Sequence, residues 1–342
     1  MPLSHALITG ASGFVGYNLA ALLAAEGRRV RCLVRPSSRV ELLEPLAVEL
    51  QRGSLDDEAS LRQAVAGVDV VFHVAGRTSA LAIDEYVRDN VDGTRRLAAV
   101  CSTQSRPPVL VLVSSLAAGG IGTLGAPRRE SELEAPLSHY GRSKLAAERT
   151  AAEFADGAPI SVVRPPMVFG PADRATLSLF QSLRVIPLHL VPGFRGFPLS
   201  LVYAEDLCRA LIAVAERGER LAPAVDHVVD RWPGRGVYYA ATDRPINYRD
   251  LGRLAAQSAH ITAAMMPTPP AAFWIAGAIG EVIGRVRRRA TLLNFDKARE
   301  ATAAGWVCSD EKLRSQLGYQ TEQTLEERFA ETVAWYRRQK WL

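Results

Sequence analysis

Thr9-Gly10-Ala11-Ser12-Gly13-Phe14-Val15-Gly16 closes a short apolar run, Ala6 to Thr9, and opens a helical pattern, Phe14 to Ala25. At a strand-to-helix junction of this kind Gly10 permits the tight turn, and Gly13 lets the backbone approach an anion without an intervening side chain. Gly16 allows the helix to pack closely on the sheet. The helix N-terminus then presents unpaired N–H groups and a partial positive charge. A pyrophosphate suits this geometry, and Gly10, Ser12, Gly13, Phe14 and Val15 are its expected contacts.

The rest of the first half extends the pattern. Strand-like runs at Arg29 to Val34, Ala47 to Gln51, Val68 to Val74, Val109 to Ser114 and Ile160 to Arg164 alternate with amphipathic stretches. Those stretches are Glu58 to Ala66, Asp84 to Ser102 and Tyr140 to Phe154. Alternation of this kind predicts an α/β fold, a Rossmann-type doubly wound parallel sheet covered on both faces, over residues 1–170. Val109-Leu-Val-Leu-Val113, apolar without a break, suits a strand buried on both sides. Beyond Gly170, prolines from Pro171 to Pro245 cut the chain into short pieces. Residues 171–342 are therefore expected to form mainly a smaller C-terminal substrate-binding lobe and C-terminal helices. Segments around 199–217 and 236–242 are expected to return to the main sheet.

With 48% apolar and 23% charged residues among 342, the chain lies far from the disordered range. Its net charge of +5 is spread along the sequence apart from one run, Arg285, Arg287, Arg288 and Arg289, and no basic stripe points to nucleic acid. Cys32, Cys101, Cys208 and Cys308 are too scattered for a zinc site or a disulfide framework, so no metal is expected. The first strand begins so early that no secretory signal precedes it, and the expected location is cytoplasmic. Ala271 to Gly284 is apolar for about ten residues before Glu281, short of the about 20 needed to span a bilayer. It is expected as a buried helix of the lobe. The alternative is a membrane-touching lid over 271–289, because Trp274 followed by the arginine run suits an interfacial helix.

The end of the second strand bears on cofactor choice. NAD-selective sites carry an acid there for the ribose 2′-hydroxyl. Here Val34 takes that place, and Arg35, Ser37, Ser38 and Arg39 could instead neutralise a 2′-phosphate. NADP(H) is favoured, with NAD(H) the alternative. Tyr140 and Lys144 fall one turn apart on one helix face. An ammonium beside a phenol favours the phenolate, and a phenol so tuned can exchange a proton with a carbonyl or alcohol oxygen. Ser115, after the fifth strand, stands where open α/β sheets bind ligands and could hydrogen-bond that oxygen. His139 reads as a loop or cap neighbour, and Glu148 as the partner of a nearby base.

These motifs, together with VFHVAG at Val71 to Gly76, NVDGT at Asn90 to Thr94, VRPPMVFGP at Val163 to Pro171 and LVYAEDLCRAL at Leu201 to Leu211, resemble the extended short-chain dehydrogenases/reductases. This is the NAD-dependent epimerase/dehydratase superfamily. The resemblance implies a catalytic group of Ser115, Tyr140 and Lys144, with Asn90 beside it. It also implies a cofactor passing Ala75 and Gly76, a nicotinamide pocket lined by Pro165 to Val168, and a structural Asp206. Two departures stand out. Gly53-Ser54-Leu55 replaces the usual Gly-Asp-Leu, leaving Ser54 and Leu55 by the adenine with Asp56 or Asp57 as substitute acids. Leu116-Ala117-Ala118-Gly119 after Ser115 lacks the acids of dehydratases, which argues against dehydration.

The sequence is most similar in character to the 3β-hydroxysteroid dehydrogenase and dihydroflavonol reductase branches. That similarity implies interconversion of a ketone and a secondary alcohol on a hydrophobic, sterol-like or isoprenoid-like substrate. Met167, Phe180, Phe194, Phe197, Phe273 and Trp274 could line its pocket or simply fill the core. Two rival readings are a sugar-nucleotide epimerase, with Arg231 to Arg235 on the diphosphate, and a non-catalytic dinucleotide sensor. Asp84 to Ser102 and Tyr140 to Phe154 are the helices through which a homodimer would form.

Overall fold

Short strands that are apolar on both sides can only be stable in the middle of a layered structure, and the chain builds one. The computed structural model describes residues 3–194, 196–223, 234–242, 244–287, 291 and 294–342. Strands β1 (His5–Thr9), β2 (Arg29–Val34), β3 (Glu49–Arg52), β4 (Val70–His73), β5 (Val109–Val113) and β6 (Ile160–Arg164) pair in parallel with a seventh, Val237–Tyr239. From one edge the order is Val237–Tyr239, β6, β5, β4, β1, β2, β3. The order reverses between β1 and β4, and a crevice opens at the carboxyl ends of the strands there.

Alternate side chains along each strand feed two cores. Ile8, Cys32, Phe72, Val111 and Val163 pack beneath α1 (Phe14–Ala25). Leu7, Leu33, Val71, Leu110 and Leu112 pack under α2 (Glu58–Val65) and, past the single turn α3 (Ile83–Tyr86), under α4 (Gly93–Ser102). The stretch expected as one helix, Asp84 to Ser102, is interrupted by a π-helical segment, Val87–Asp92. Such widened turns often mark functional sites, and this one carries Asn90. All four cysteines are buried and free, and burial pushes the Cys32 and Cys101 thiols up to about 12. Among the described residues no cluster of His, Cys, Asp and Glu could hold a metal ion.

After β5 come α5 (Leu116–Gly119) and α6 (His139–Ala152), and after β6 the short β7 (Met167–Phe169). Pro165 and Pro166 lack N–H donors, so the ladder of β6 ends and the chain turns outward. Helix α7 (Arg174–Val185), β8 (Leu188–Pro192), β9 (Pro198–Leu199) and β10 (Leu201–Tyr203) follow. They lead to α8 (Ala204–Arg217) and to β11, the seventh strand of the sheet. Then come β12 (Ile246–Asn247), α9 (Tyr248–Ala259), β13 (Ala264–Thr268), α10 (Pro270–Arg287), α11 (Phe295–Ala301), α12 (Glu311–Leu317) and α13 (Leu325–Arg338).

The 236–242 segment therefore supplies a sheet strand, but the 199–217 segment returns only in part. Helix α8 packs on the sheet beside α1, whereas β10 pairs with β7 because β7 has already left the sheet. A third core, with Phe169, Phe180, Leu199, Tyr203, Phe329 and Tyr336, lies under α7, α9 and α13.

Helix α10 corrects the expectation of a buried helix. Its buried residues are Gly277, Gly280 and Gly284, and Ile275, Ile279, Val282, Ile283 and Val286 face outward, whereas Phe273 lines the cleft. Among the described residues no helix is long and apolar enough to cross a membrane.

Candidate active site

The glycine turn is fixed by its neighbours. Gly10 adopts φ +74°, and a Cβ there would fall 2.6 Å from the Ala75 nitrogen, so only glycine fits between β1 and the loop after β4. Gly13 caps α1 without a side chain, and the first helical turn has no acidic residue. The first N–H groups of α1 are therefore free of competing carboxylates, as a dinucleotide pyrophosphate requires.

The turn opens into a cleft of about 1780 Å³ that also takes in the lobe, large enough for a dinucleotide and a sizeable second molecule. Gly10, Ser12, Gly13, Phe14 and Val15 line it, as do Ala75 and Gly76. Arg35, Ser38 and Arg39 form its wall beyond β2, and the Arg35 N–H donates to the Ser38 hydroxyl at 3.1 Å. Glu41 shares that stretch, so the wall is not purely basic. Ser54, Leu55 and Asp56 face the cleft, whereas Asp57 is committed to capping α2 through the Ala59 and Ser60 N–H groups. Of the two substitute acids only Asp56 remains near an adenine, and it pairs with Arg96.

At the floor of the cleft Ser115 caps α5, its hydroxyl accepting from the Ala117 N–H at 3.1 Å, and Tyr140 lines the same cleft. The preceding Ser114 is buried and bonds Glu148 on the other side of the strand. Of the two consecutive serines, only Ser115 lines the cleft. Glu148 also holds Arg164 at 2.6 Å, so the base expected to partner it is this fully buried arginine. The Ser138 hydroxyl caps α6 by accepting from the Gly141 N–H at 3.0 Å, which sets Tyr140 in the first turn and leaves His139 as a helix-start residue.

The electrostatics differ from expectation in one respect. The Lys144 ammonium donates to the Val113 carbonyl at 2.7 Å, and burial pushes its pKa down to about 8 against the pull of Glu148. The cation beside the Tyr140 ring is Lys297, 5.5 Å from the ring centre. Burial raises the Tyr140 phenol above its ordinary value; the Ser115 hydrogen bond and Lys297 lower it, and Glu300 raises it. Lys297 is in turn paired with Glu300 at 2.7 Å. The same helix, α11, sends Asp296 to accept the Tyr140 N–H at 3.2 Å. Sequence reading missed Asp296, Lys297 and Glu300. Asn294 and Asp296 signalled a helix start, but nothing in their spacing signalled a partner more than a hundred positions away.

Two further expectations need correction. Asn90 is buried outside the cleft lining. Its side chain accepts from the Arg77 N–H at 2.7 Å and donates to the Arg77 carbonyl at 3.0 Å and the Ser143 hydroxyl at 2.8 Å. With every polar atom engaged, Asn90 ties the loop after Gly76 to α6 and is a positioning residue. Pro165 is also behind the wall, its carbonyl accepting from the Leu116 N–H at 2.8 Å; Pro166, Met167 and Val168 form the surface.

The apolar wall combines Met167, Phe197 and Phe273 with Tyr248, Trp306 and Trp341, three aromatics the sequence had not singled out. Phe180 is lobe core, whereas Phe194 and Trp274 lie outside the cleft. Of the arginines expected on a diphosphate, Arg231 falls outside the described residues, and Arg235 is exposed and does not line the cleft. Asp206 is structural in its contacts, held at 2.7 Å by Arg328 of α13.

Comparison with known proteins agrees with this architecture. Residues 6–226 match the NAD dependent epimerase/dehydratase family. A 4-hydroxy-2-methyl-3-oxo-4-farnesyl-3,4-dihydroquinoline-1-oxide ketoreductase of Stigmatella aurantiaca is 30% identical over 322 residues, covering 91% of this chain and 90% of its own. A ceramide reductase of Caulobacter vibrioides is 30% identical over 337 residues, covering 98% and 95%. A UDP-glucose 4-epimerase of Thermotoga maritima has the same fold, with a TM-score of 0.75 at 20% identity and coverage of 98% of this chain and 99% of that one. The chain belongs to the NAD dependent epimerase/dehydratase family, the extended short-chain dehydrogenases/reductases, and is an NAD(P)-dependent oxidoreductase.

Proposed function

We propose that the protein interconverts a ketone and a secondary alcohol on a large hydrophobic substrate, with Ser115, Tyr140 and Lys144 as its working groups and NADP(H) as its favoured cofactor. The observation that carries the reading is that Ser115 and Tyr140 line one cleft with the glycine turn on one side and an aromatic wall on the other. The two 30%-identical relatives support it, since both are named as reductases and their named compounds carry a farnesyl group or are ceramides.

When bound, the nicotinamide supplies or accepts the hydride. Ser115 donates a hydrogen bond to the substrate oxygen and holds it against the phenol. Tyr140 gives that oxygen a proton in the reductive direction and takes one in the oxidative direction. Lys297 keeps positive charge beside the phenol, which lowers the cost of its anion, while Lys144, held by the Val113 carbonyl, stands beside Gly76 at the cofactor wall. Asn90 fixes the Gly76–Arg77 loop against α6, so the cofactor wall and the catalytic helix move as one. Met167, Phe197, Phe273 and Trp306 exclude water from the reacting carbon and favour an apolar ligand.

The test is NADPH oxidation with a panel of lipophilic ketones. Tyr140→Phe is expected to lower kcat by at least about a hundredfold while cofactor binding persists. Turnover unchanged in that variant overturns the mechanism; UDP-glucose epimerisation without net redox change overturns the substrate class. Arg35→Ala is expected to weaken NADPH binding about tenfold and leave NADH binding nearly unchanged, because it removes one charge from the 2′-phosphate wall. Pairing of two chains through α4 and α6 completes the proposal, and sedimentation velocity tests it.

A further inference from the structure

Helix α10 has two unlike sides. At about 100° per residue, Gly277, Gly280 and Gly284 lie together on one side. A Cβ at Gly277 would meet the Asn294 carbonyl oxygen at 3.0 Å and the Ala298 Cβ at 3.1 Å, so the glycine side is pressed on α11. Phe273 lies on that side as well and lines the cleft. The opposite arc, about 100° wide, carries Ile275, Ile279, Val282, Ile283 and Val286, which are 40% to 79% exposed. A soluble surface rarely leaves so continuous an aliphatic stripe in water without a use for it.

The charges flanking the stripe indicate its occupant. Arg285 and Arg287 fall on its two margins, where long side chains can keep their stems along the apolar face and their heads in an aqueous layer. Arg285 keeps a loose pair with Glu281 at 3.4 Å, so the net positive charge rests on Arg287 and on Arg288 and Arg289, which follow in the sequence outside the described residues. Trp274, 37% exposed, sits near the other end of the helix on the Arg285 side of the stripe, its ring 6.4 Å from that of Phe295. Phe194, 87% exposed, is nearby: the N–H of adjacent Gly193 donates to the carbonyl of Thr268, two residues before α10, at 2.8 Å. An apolar arc with aromatic residues at one end and arginines on its margins matches a helix lying in the plane of a bilayer surface. A protein partner would not need basic residues on both edges of the stripe.

We propose that the outer face of α10 docks the protein on an anionic lipid bilayer. The helix lies in the interface while its glycine side and Phe273 border the cleft. An apolar substrate can then pass between membrane and cleft without crossing water. That last step rests on the hydrophobic-substrate reading above; the docking itself does not.

The test is flotation of the full chain with vesicles of phosphatidylcholine, with and without phosphatidylglycerol. The protein is expected to float with the anionic vesicles and to partition at least about tenfold less when Ile279→Glu and Val282→Glu are combined. Arg287→Glu is expected to reduce binding to the anionic vesicles and leave the neutral ones unaffected. Neither substitution touches the cleft, so turnover of a short, water-soluble ketone should stay at the parent level, and an unchanged melting temperature confirms folding. Failure to float, or equal flotation of the double variant, overturns the proposal. So does a dimer in solution that the double variant dissociates, because a second copy of the chain would then cover the stripe. Flotation in a protein that reduces no ketone leaves docking standing and removes the proposed reaction.

Discussion

Tyr140 works under opposing influences. Burial favours its neutral phenol, while the Ser115 hydroxyl and the Lys297 ammonium favour the anion. Replacing Lys297 with Met removes one of the two stabilisers and should raise the phenol further. The acidic limb of alcohol oxidation, where activity rises as the phenol ionises, is then expected to move to higher pH, with ketone reduction at neutral pH less affected because it starts from the protonated phenol. Initial rates across pH in both directions check this; a limb that stays in place refutes it. His73 gives a second residue-scale prediction. Buried between the Thr9 and Thr94 hydroxyls, its pKa is pushed down from 6.5 to about 3 by burial first and Lys144 second. Between those values the unfolded chain binds a proton that the folded one does not. Stability must therefore fall as pH drops from 6.5, at up to about 1.4 kcal/mol per pH unit from this group. His73→Gln should flatten that part of the acid-unfolding curve measured by urea titration. At this scale the motif residues Gly10, Ser115 and Tyr140 were legible because each answers to a local rule of turn or helix geometry. Asp296 and Lys297 were not, because their meaning comes from a contact that no periodicity encodes.

Among the elements, the join between β6 and α6 is the most heavily committed. Arg164 is fully buried and holds Glu148 at 2.6 Å and Glu134 at 3.0 Å, with the Tyr239 hydroxyl at 3.3 Å. Removing one member strands a charge in the core. Arg164→Met is expected to cost about 3–5 kcal/mol in denaturant unfolding, whereas Arg164→Met combined with Glu148→Met should recover much of that loss. A mild single-variant effect would mean that water reaches the pair. The strands themselves were readable from unbroken apolar runs, and their burial in a parallel sheet follows directly. Helix α10 was misread for a physical reason. Its inner side is glycine and its outer side aliphatic, with charge only between them, and hydrophobicity alone cannot say which of the two apolar sides faces a neighbour. Similarly, the fate of β10 depended on where β7 pointed after two prolines, a tertiary matter invisible to propensity.

Across the molecule, the C-terminal helix ties the lobe to α8 and to the cleft. Helix α13 supplies Phe329, Val333 and Tyr336 to the lobe core, its Arg328 holds Asp206 of α8, and Trp341 beyond it lines the cleft. Deleting residues 325–342 is expected to abolish the cooperative thermal transition of the lobe and expose it to proteolysis, because the Asp206 carboxylate and several aromatic faces lose their cover together. Limited proteolysis followed by mass mapping reads the outcome; an intact lobe in the truncated chain contradicts it. The contact between Asp296 and the Tyr140 N–H adds a constraint of timing. A ribosome delivers the glycine turn before the tyrosine, and the carboxylate that accepts the tyrosine's N–H 156 residues later. A partly made chain can already display its glycine turn while the surroundings of Tyr140 are still being synthesised. Order of manufacture thus leaves the environment of Tyr140 incomplete until long after the turn beside it has formed.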